Sequence, residues 1–189
     1  MREIILASNS PRRRELLGRV VCDFTSVSPC ADESVLPLAH PSQTVMILAK
    51  RKASSIENDN GGIIIGADTV VVFNNEILGK PASKDDAKRM LRLLSGNAHK
   101  VYTGICVLDR ANNIELCDYE CTEVYFDNIS QDDIEWYVQT GESEDKAGAY
   151  AIQGFGARFI TGIKGCYYNV VGLPINKLSK LLKGIDFGG

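Results

Sequence analysis

The stretch GGIIIGADTVVVF, residues 61–73, does most to limit what this chain can fold into. Its apolar positions run on without polar alternation, so it reads as a long buried strand, interrupted near Gly66. A strand of this kind belongs inside a sheet covered by helices. One residue breaks the run, and that residue is Asp68. An unpaired carboxylate in such a strand costs several kcal/mol; a metal ion or a lysine partner would offset the cost. A strand-end turn is the plainer reading, but the flanking residues carry almost no turn chemistry. Gly66 lets the backbone bulge or approach a ligand closely, and Thr69 adds a hydroxyl.

The surrounding pattern predicts the rest of the sheet. EIILA gives a first strand, PRRRELL a short helix, and VVCDFTSV a second strand. A polar loop leads to a helix over about 42–56. Asn74-Asn75 signals a hairpin into EILGKP. Ser83 caps a helix ending at Gly96, with Ala87, Met90, Leu91 and Leu94 on one side. KVYTGICVLDR and NIELCDYECTEVYF read as two strands joined through residues 111–113, and Ser130 caps a helix closed by Gly141. ESEDKAGAYAIQGFGARF is rich in glycine and charge and reads as a functional loop or a short helix. A strand over FITGI, the segment YYNVVGLP and a terminal helix INKLSKLLK complete the chain. Strands and helices alternate at first and a run of strands follows. The expectation is therefore an α/β fold with a mixed sheet, in one domain spanning 1–189.

Two more placements break the local rules. Arg12, Arg13 and Arg14 occupy the first turn of a helix capped by Ser10, where the macrodipole favours acids. A bound polyphosphate would remove that conflict, since helix N–H groups and guanidinium forks both suit phosphate oxygens. The alternative is a solvated basic surface. Lys52 falls inside the stripe formed by Val45, Leu48, Ala49, Ala53 and Ile56, so it must snorkel or meet an anion. Less conspicuous candidates are Glu33, a loop acid; Lys80, held extended by Pro81; and Gln153, whose amide could read a base edge.

Composition then excludes several classes. With a net charge of -3 and a pI of about 5.5, the chain is not a typical nonspecific nucleic-acid binder. No aromatic-basic platform appears, so no stable nucleic-acid partner is expected. The six cysteines form no CxxC pair, and two histidines supply too few partners for zinc-finger spacing. Scattered reduced thiols in a cytoplasmic protein are expected. The apolar run after Arg2-Glu3 is too short for a signal peptide, and nothing approaches a membrane span. GxxxxGK[ST] is absent, GFG at 154–156 lacks the full dinucleotide pattern, and no Ser-His-Asp or Cys-His set is evident.

LASNSPRRRELL, IGADTVV, GKP, LSGNAHKVYTG, DKAGAYAIQGFG and GCYYNVVGLP together resemble the Maf nucleoside triphosphate pyrophosphatases. The six blocks appear in family order and cover about residues 4–174. The resemblance implies a mixed twisted sheet flanked by helices, in an inosine-triphosphatase-like fold with two lobes and a central cleft. It implies hydrolysis of a nucleoside triphosphate to the monophosphate and pyrophosphate, with a divalent cation, Mg²⁺ or Mn²⁺. Asp68 matches the family's general base. Ser8, Arg13, Glu33, Lys52 and Lys80 match its polar catalytic and phosphate-binding set. For the cation, Asp68 and Glu33 are the acids expected to hold it. Arg12, Thr69 and Gln153 match positions linked to base choice in the branch acting on dTTP and UTP. The DKAGAYxIQG block also looks like that branch. Ala151 stands where the family usually has Gly, and Cys166 where it usually has Ser.

The expected reaction is water attack at the α-phosphorus. Cations neutralise the leaving pyrophosphate, and Gln153 pairs with O4 and N3–H of uracil or thymine. dTTP and UTP lead the substrates, with CTP or modified pyrimidine nucleotides open. The sequence does not show the oligomeric state, and a homodimer is only the base-rate expectation. A rival reading is a nucleotide-sensing regulator of cell division that binds without hydrolysing. Asp68 favours the enzyme, because a pure binder gains little from a buried acid near phosphates.

Overall fold

A computed structural model describes residues 2–32, 40–58 and 61–185. The strands are β1 (Ile4–Ala7), β2 (Thr25–Val27), β3 (Ile63–Phe73), β4 (Glu76–Leu78), β5 (Ala98–Asp109), β6 (Ile114–Phe126) and β7 (Ile160–Lys164). They form a seven-stranded sheet in the order β2-β1-β3-β5-β6-β7, with β4 also beside β3. β1 pairs in parallel with β2 and β3, whereas β3–β4 and β6–β7 are antiparallel. The sheet is mixed, as the alternation followed by a strand run implies. The helices are α1 (Pro11–Leu17), α2 (Pro41–Ser54), α3 (Lys84–Leu94), α4 (Gln131–Gln139), α5 (Tyr167–Val171) and α6 (Ile175–Lys183).

The chain divides into two compact units, each built from separated stretches. The first comprises Met1–Asp68, Thr103–Glu120 and Gly172–Gly189. Its β1 is buried throughout, and Ala49 and Ala53 of α2, with Ile56 just beyond its end, pack on Ile5, Ile64, Cys106 and Leu108. The second comprises Thr69–Tyr102 and Cys121–Val171. Its core gathers Met90, Leu91 and Leu94 of α3, Ile134, Tyr137 and Val138 of α4, and Phe126, Tyr150 and Phe159. The stripe read on α3 is the face it buries.

Local signals set the element ends. Ser10, Ser83 and Ser130 cap their helices by accepting from the N–H groups of Arg13, Asp86 and Asp133. Asn74 and Asn75, at φ 48 and 65°, make the left-handed turn that a two-residue hairpin needs.

Three expectations are corrected. β3 is not interrupted at Gly66: it runs unbroken through Asp68. β2 is shorter than VVCDFTSV implies, because only Thr25–Val27 finds register beside β1 while Cys22 and Asp23 lie exposed in a bend. The cysteines are not all reduced thiols. Cys106 and Cys117 form a disulfide, with Cα atoms 4.1 Å apart, and Cys22, Cys30, Cys121 and Cys166 keep their thiols. Sequence spacing could not reveal the pairing, because it arises from the register of two adjacent strands.

Candidate active site

Two sequence anomalies resolve each other. Lys52 Nζ on α2 lies 2.7 Å from Asp68 Oδ1 on β3 and donates to it. Both residues are nearly enclosed, at 8% and 9% exposure, so neither has water enough to be solvated alone. The lysine does not snorkel, and the acid needs no further partner to tolerate its strand. The pair exists because α2 sits very close to the sheet. A Cβ at Gly66 would fall 2.1 Å from the carbonyl oxygen of Ala49 and 2.8 Å from the amide of Ala53. At Gly104 on β5 it would fall 2.3 Å from the backbone of Val45. Two glycines on adjacent strands thus seat the helix backbone, and Lys52 projects from the seated face toward Asp68.

The segment after β1 lies nearby in register. Ala7 of β1 pairs with Gly66 of β3, two residues before Asp68. Ser8 follows at once, almost fully buried, and its Oγ accepts from the amide of Ser10 at 3.2 Å. Its own O–H remains a donor by chemistry. Its carbonyl accepts from Ser26 Oγ at 2.8 Å, which ties the turn to β2. The arginine triplet divides three ways. Arg13 Nε donates to the carbonyl of Gly172 at 2.8 Å, which fixes the guanidinium plane. Arg12 is half-buried and Arg14 is exposed. α1 has only seven residues, and the amides of Ser10 and Arg13 are already bonded. Any attraction for phosphate therefore rests on the guanidinium groups more than on the helix end. Gly172, at φ 120°, was not among the expected site residues; its role is carried by a carbonyl, which no side-chain pattern reveals.

The second unit holds Thr69, Lys80 and Gln153. Thr69 is half-buried on β3, Lys80 is exposed just before Pro81, and Gln153 is exposed in the loop before a 3-10 turn, Phe155–Phe159. Glu33 lies outside the described residues. Among the described residues no group of three or more His, Cys, Asp or Glu could hold a metal ion. Asp68 still supplies a hard oxygen donor. One or two carboxylates, completed by substrate phosphates and water, are the usual donors for Mg²⁺. No helix among the described residues is long and apolar enough to cross a membrane.

A mixed α/β sheet with an acid–lysine pair buried against a glycine-seated helix thus frames the candidate site. The family described as Maf-like protein matches residues 3–185, and the chain belongs to that family. It is 49% identical over 187 residues to the dTTP/UTP pyrophosphatase of Clostridium botulinum (strain Kyoto / Type A2), covering 96% of each chain. It is 46% identical over 187 residues to the dTTP/UTP pyrophosphatase of Bacillus cereus (strain B4264), covering 98% of this chain and 97% of that one. Among solved structures, the Staphylococcus aureus Ham1 protein superposes with a TM-score of 0.51 at 15% identity, over 96% of this chain and 98% of that one. This last likeness concerns the fold alone.

Proposed function

We propose that this chain hydrolyses dTTP and UTP to the nucleoside monophosphate and pyrophosphate. Near-full-length relatives bear that activity in their names, at 49% and 46% identity. The observation that carries the chemistry is the Lys52–Asp68 pair at 2.7 Å. An enclosed acid that accepts a hydrogen bond from a lysine is held in one orientation, which is what a residue aligning a water needs.

In this reading Asp68 orients a water and takes its proton as the water oxygen bonds to the α-phosphorus. The bond from that phosphorus to the bridging oxygen breaks, and pyrophosphate leaves with the electron pair. Lys52 holds the carboxylate in place and offsets charge moving toward the leaving group. Arg13, fixed by Gly172, and Arg12 neutralise phosphate oxygens, and Ser8 donates a hydrogen bond to one of them. Lys80 for phosphate, and Thr69 and Gln153 for the base, keep the roles that the resemblance implies. Asp68 and Glu33 would hold a divalent cation, which when bound would neutralise phosphate charge and polarise the phosphoryl oxygens.

A panel of UTP, dTTP, CTP and GTP, each with Mg²⁺ or Mn²⁺, tests the reading by its products. UMP or dTMP with pyrophosphate is the expected outcome. UDP with inorganic phosphate would overturn it, and tight binding with no pyrophosphate release would favour the regulator.

A further inference from the structure

Gln153 stands at the crest of an irregular segment, where nothing in regular secondary structure fixes its position. A side chain that reads a base must be held to within a fraction of an ångström, and a free loop of glycines does not provide that. The structure shows where the rigidity comes from. Glu142, just after α4, directs its carboxylate beneath the segment. Its Oε2 accepts from the amide of Phe155 at 2.9 Å, and its Oε1 from the amide of Gly156 at 3.0 Å. The Tyr137 hydroxyl donates to the same Oε1 at 2.8 Å and accepts from the amide of Ala151 at 3.2 Å.

These bonds bracket Gln153. Ala151 is fixed two residues before it, and Phe155 and Gly156 two and three residues after it. Gly154 lies directly over the carboxylate: a Cβ there would come within 1.9 Å of Glu142 Oε2. Any larger residue at 154 would have to displace the Glu142 carboxylate from these bonds. Tyr137 is fully enclosed in the core, so the lower anchor cannot drift. Burial pushes its phenol up, which keeps it protonated and able to donate. One residue before Ala151, the Tyr150 hydroxyl bonds His99 Nε2 at 2.8 Å and ties the segment to β5.

We propose that Glu142, acting with Tyr137, is a positioning residue for base selection. Its carboxylate sets the height and direction of Gln153 by holding the backbone on both sides of it, and it touches no substrate itself. The two amide bonds to an anion are charge-assisted and stronger than the neutral bonds of an ordinary turn. Glu142→Gln keeps the size but puts an NH2 group against one of those donors. Tyr137→Phe removes the hydroxyl between the carboxylate and Ala151 while leaving the ring in the core. The inference rests on Gln153 reading the pyrimidine edge.

The test compares kcat/KM for UTP with that for N3-methyl-UTP, which lacks the N3–H a glutamine oxygen would accept. The ratio is the readout, because a partly misfolded preparation lowers both values alike and leaves their quotient unchanged. Wild-type protein should prefer UTP by more than about tenfold, and Gln153→Ala should bring the two nucleotides to near parity. Glu142→Gln should lower the ratio about fivefold, the worth of roughly one hydrogen bond. Should that variant fail to fold, Tyr137→Phe takes its place with the same expected direction. Parity in Gln153→Ala combined with a wild-type ratio in Glu142→Gln overturns the positioning role and leaves base reading intact. Equal use of both nucleotides by the wild type, or a wild-type ratio in Gln153→Ala, overturns base reading and this inference with it.

Discussion

At the scale of the residue, two side chains that break the sequence's own pattern carry the proposed chemistry. Asp68 in an apolar strand and Lys52 in an apolar stripe were legible in the sequence as anomalies. That each answers the other was not, because it depends on how closely α2 approaches β3. A buried pair adds little to stability compared with apolar residues of similar size, but removing one partner is costly. Replacing both, as Lys52→Met with Asp68→Leu, should leave the stability within about 2 kcal/mol of wild type by urea denaturation and abolish turnover. Asp68→Asn should lower kcat by about 10²–10⁴ while nucleotide binding, measured by calorimetry, persists. Retention of most of the rate would remove Asp68 from the chemistry. His99 supplies a separate pH dependence. It is 2% exposed, its ring meets Phe126 and Tyr150 edge-on, and Nδ1 has no partner among the described residues. Burial lowers its pKa to about 4 in the folded state, against 6.5 when solvated. The unfolded chain therefore binds the extra proton first as pH falls. Stability is full above pH 6.5 and declines through about pH 4, by about 3 kcal/mol in total. His99→Gln should lose that portion of the decline in melts taken from pH 7 to 4.

At the scale of the element, packing more than sequence motif brings Lys52 onto Asp68. Gly66 looked like a break in its strand because a glycine in an apolar run often marks a bulge. Its use here is different: it lets the carbonyl of Ala49 come down onto the sheet, and Gly104 does the same for Val45. Neither contact is visible in a pattern of hydropathy, since both involve backbone. Gly66→Ala and Gly104→Ala should each cost about 3 kcal/mol, because backbone cannot move aside as a flexible side chain does. Both should also lower kcat by lifting Lys52 away from Asp68. Gly162, whose added methyl would meet nothing within 4 Å, is the control, and Gly162→Ala should change stability by under about 0.5 kcal/mol. The serine caps, the Asn-Asn turn and the α3 stripe were readable because each is a local signal. The extent of β2 and the Cys106–Cys117 pairing depend on strand register, and local signals do not encode it.

At the scale of the whole molecule, the mixed sheet follows from helix–strand alternation giving way to a run of strands. The order β2-β1-β3-β5-β6-β7 places β1 and β3 side by side, which is why Ser8 and Asp68, sixty residues apart in the chain, issue from neighbouring strands. Order along the chain could not have predicted that adjacency. Three of the six family blocks fall on the turn after β1, the strand of Asp68 and the loop of Gln153. The central claim is that Asp68, held by Lys52, directs water to the α-phosphorus of a nucleoside triphosphate. The most direct measurement is turnover of UTP in ¹⁸O-labelled water, with the products separated and weighed by mass spectrometry. The account predicts one labelled oxygen in UMP and unlabelled pyrophosphate; label in the pyrophosphate, or UDP with labelled inorganic phosphate, would contradict it.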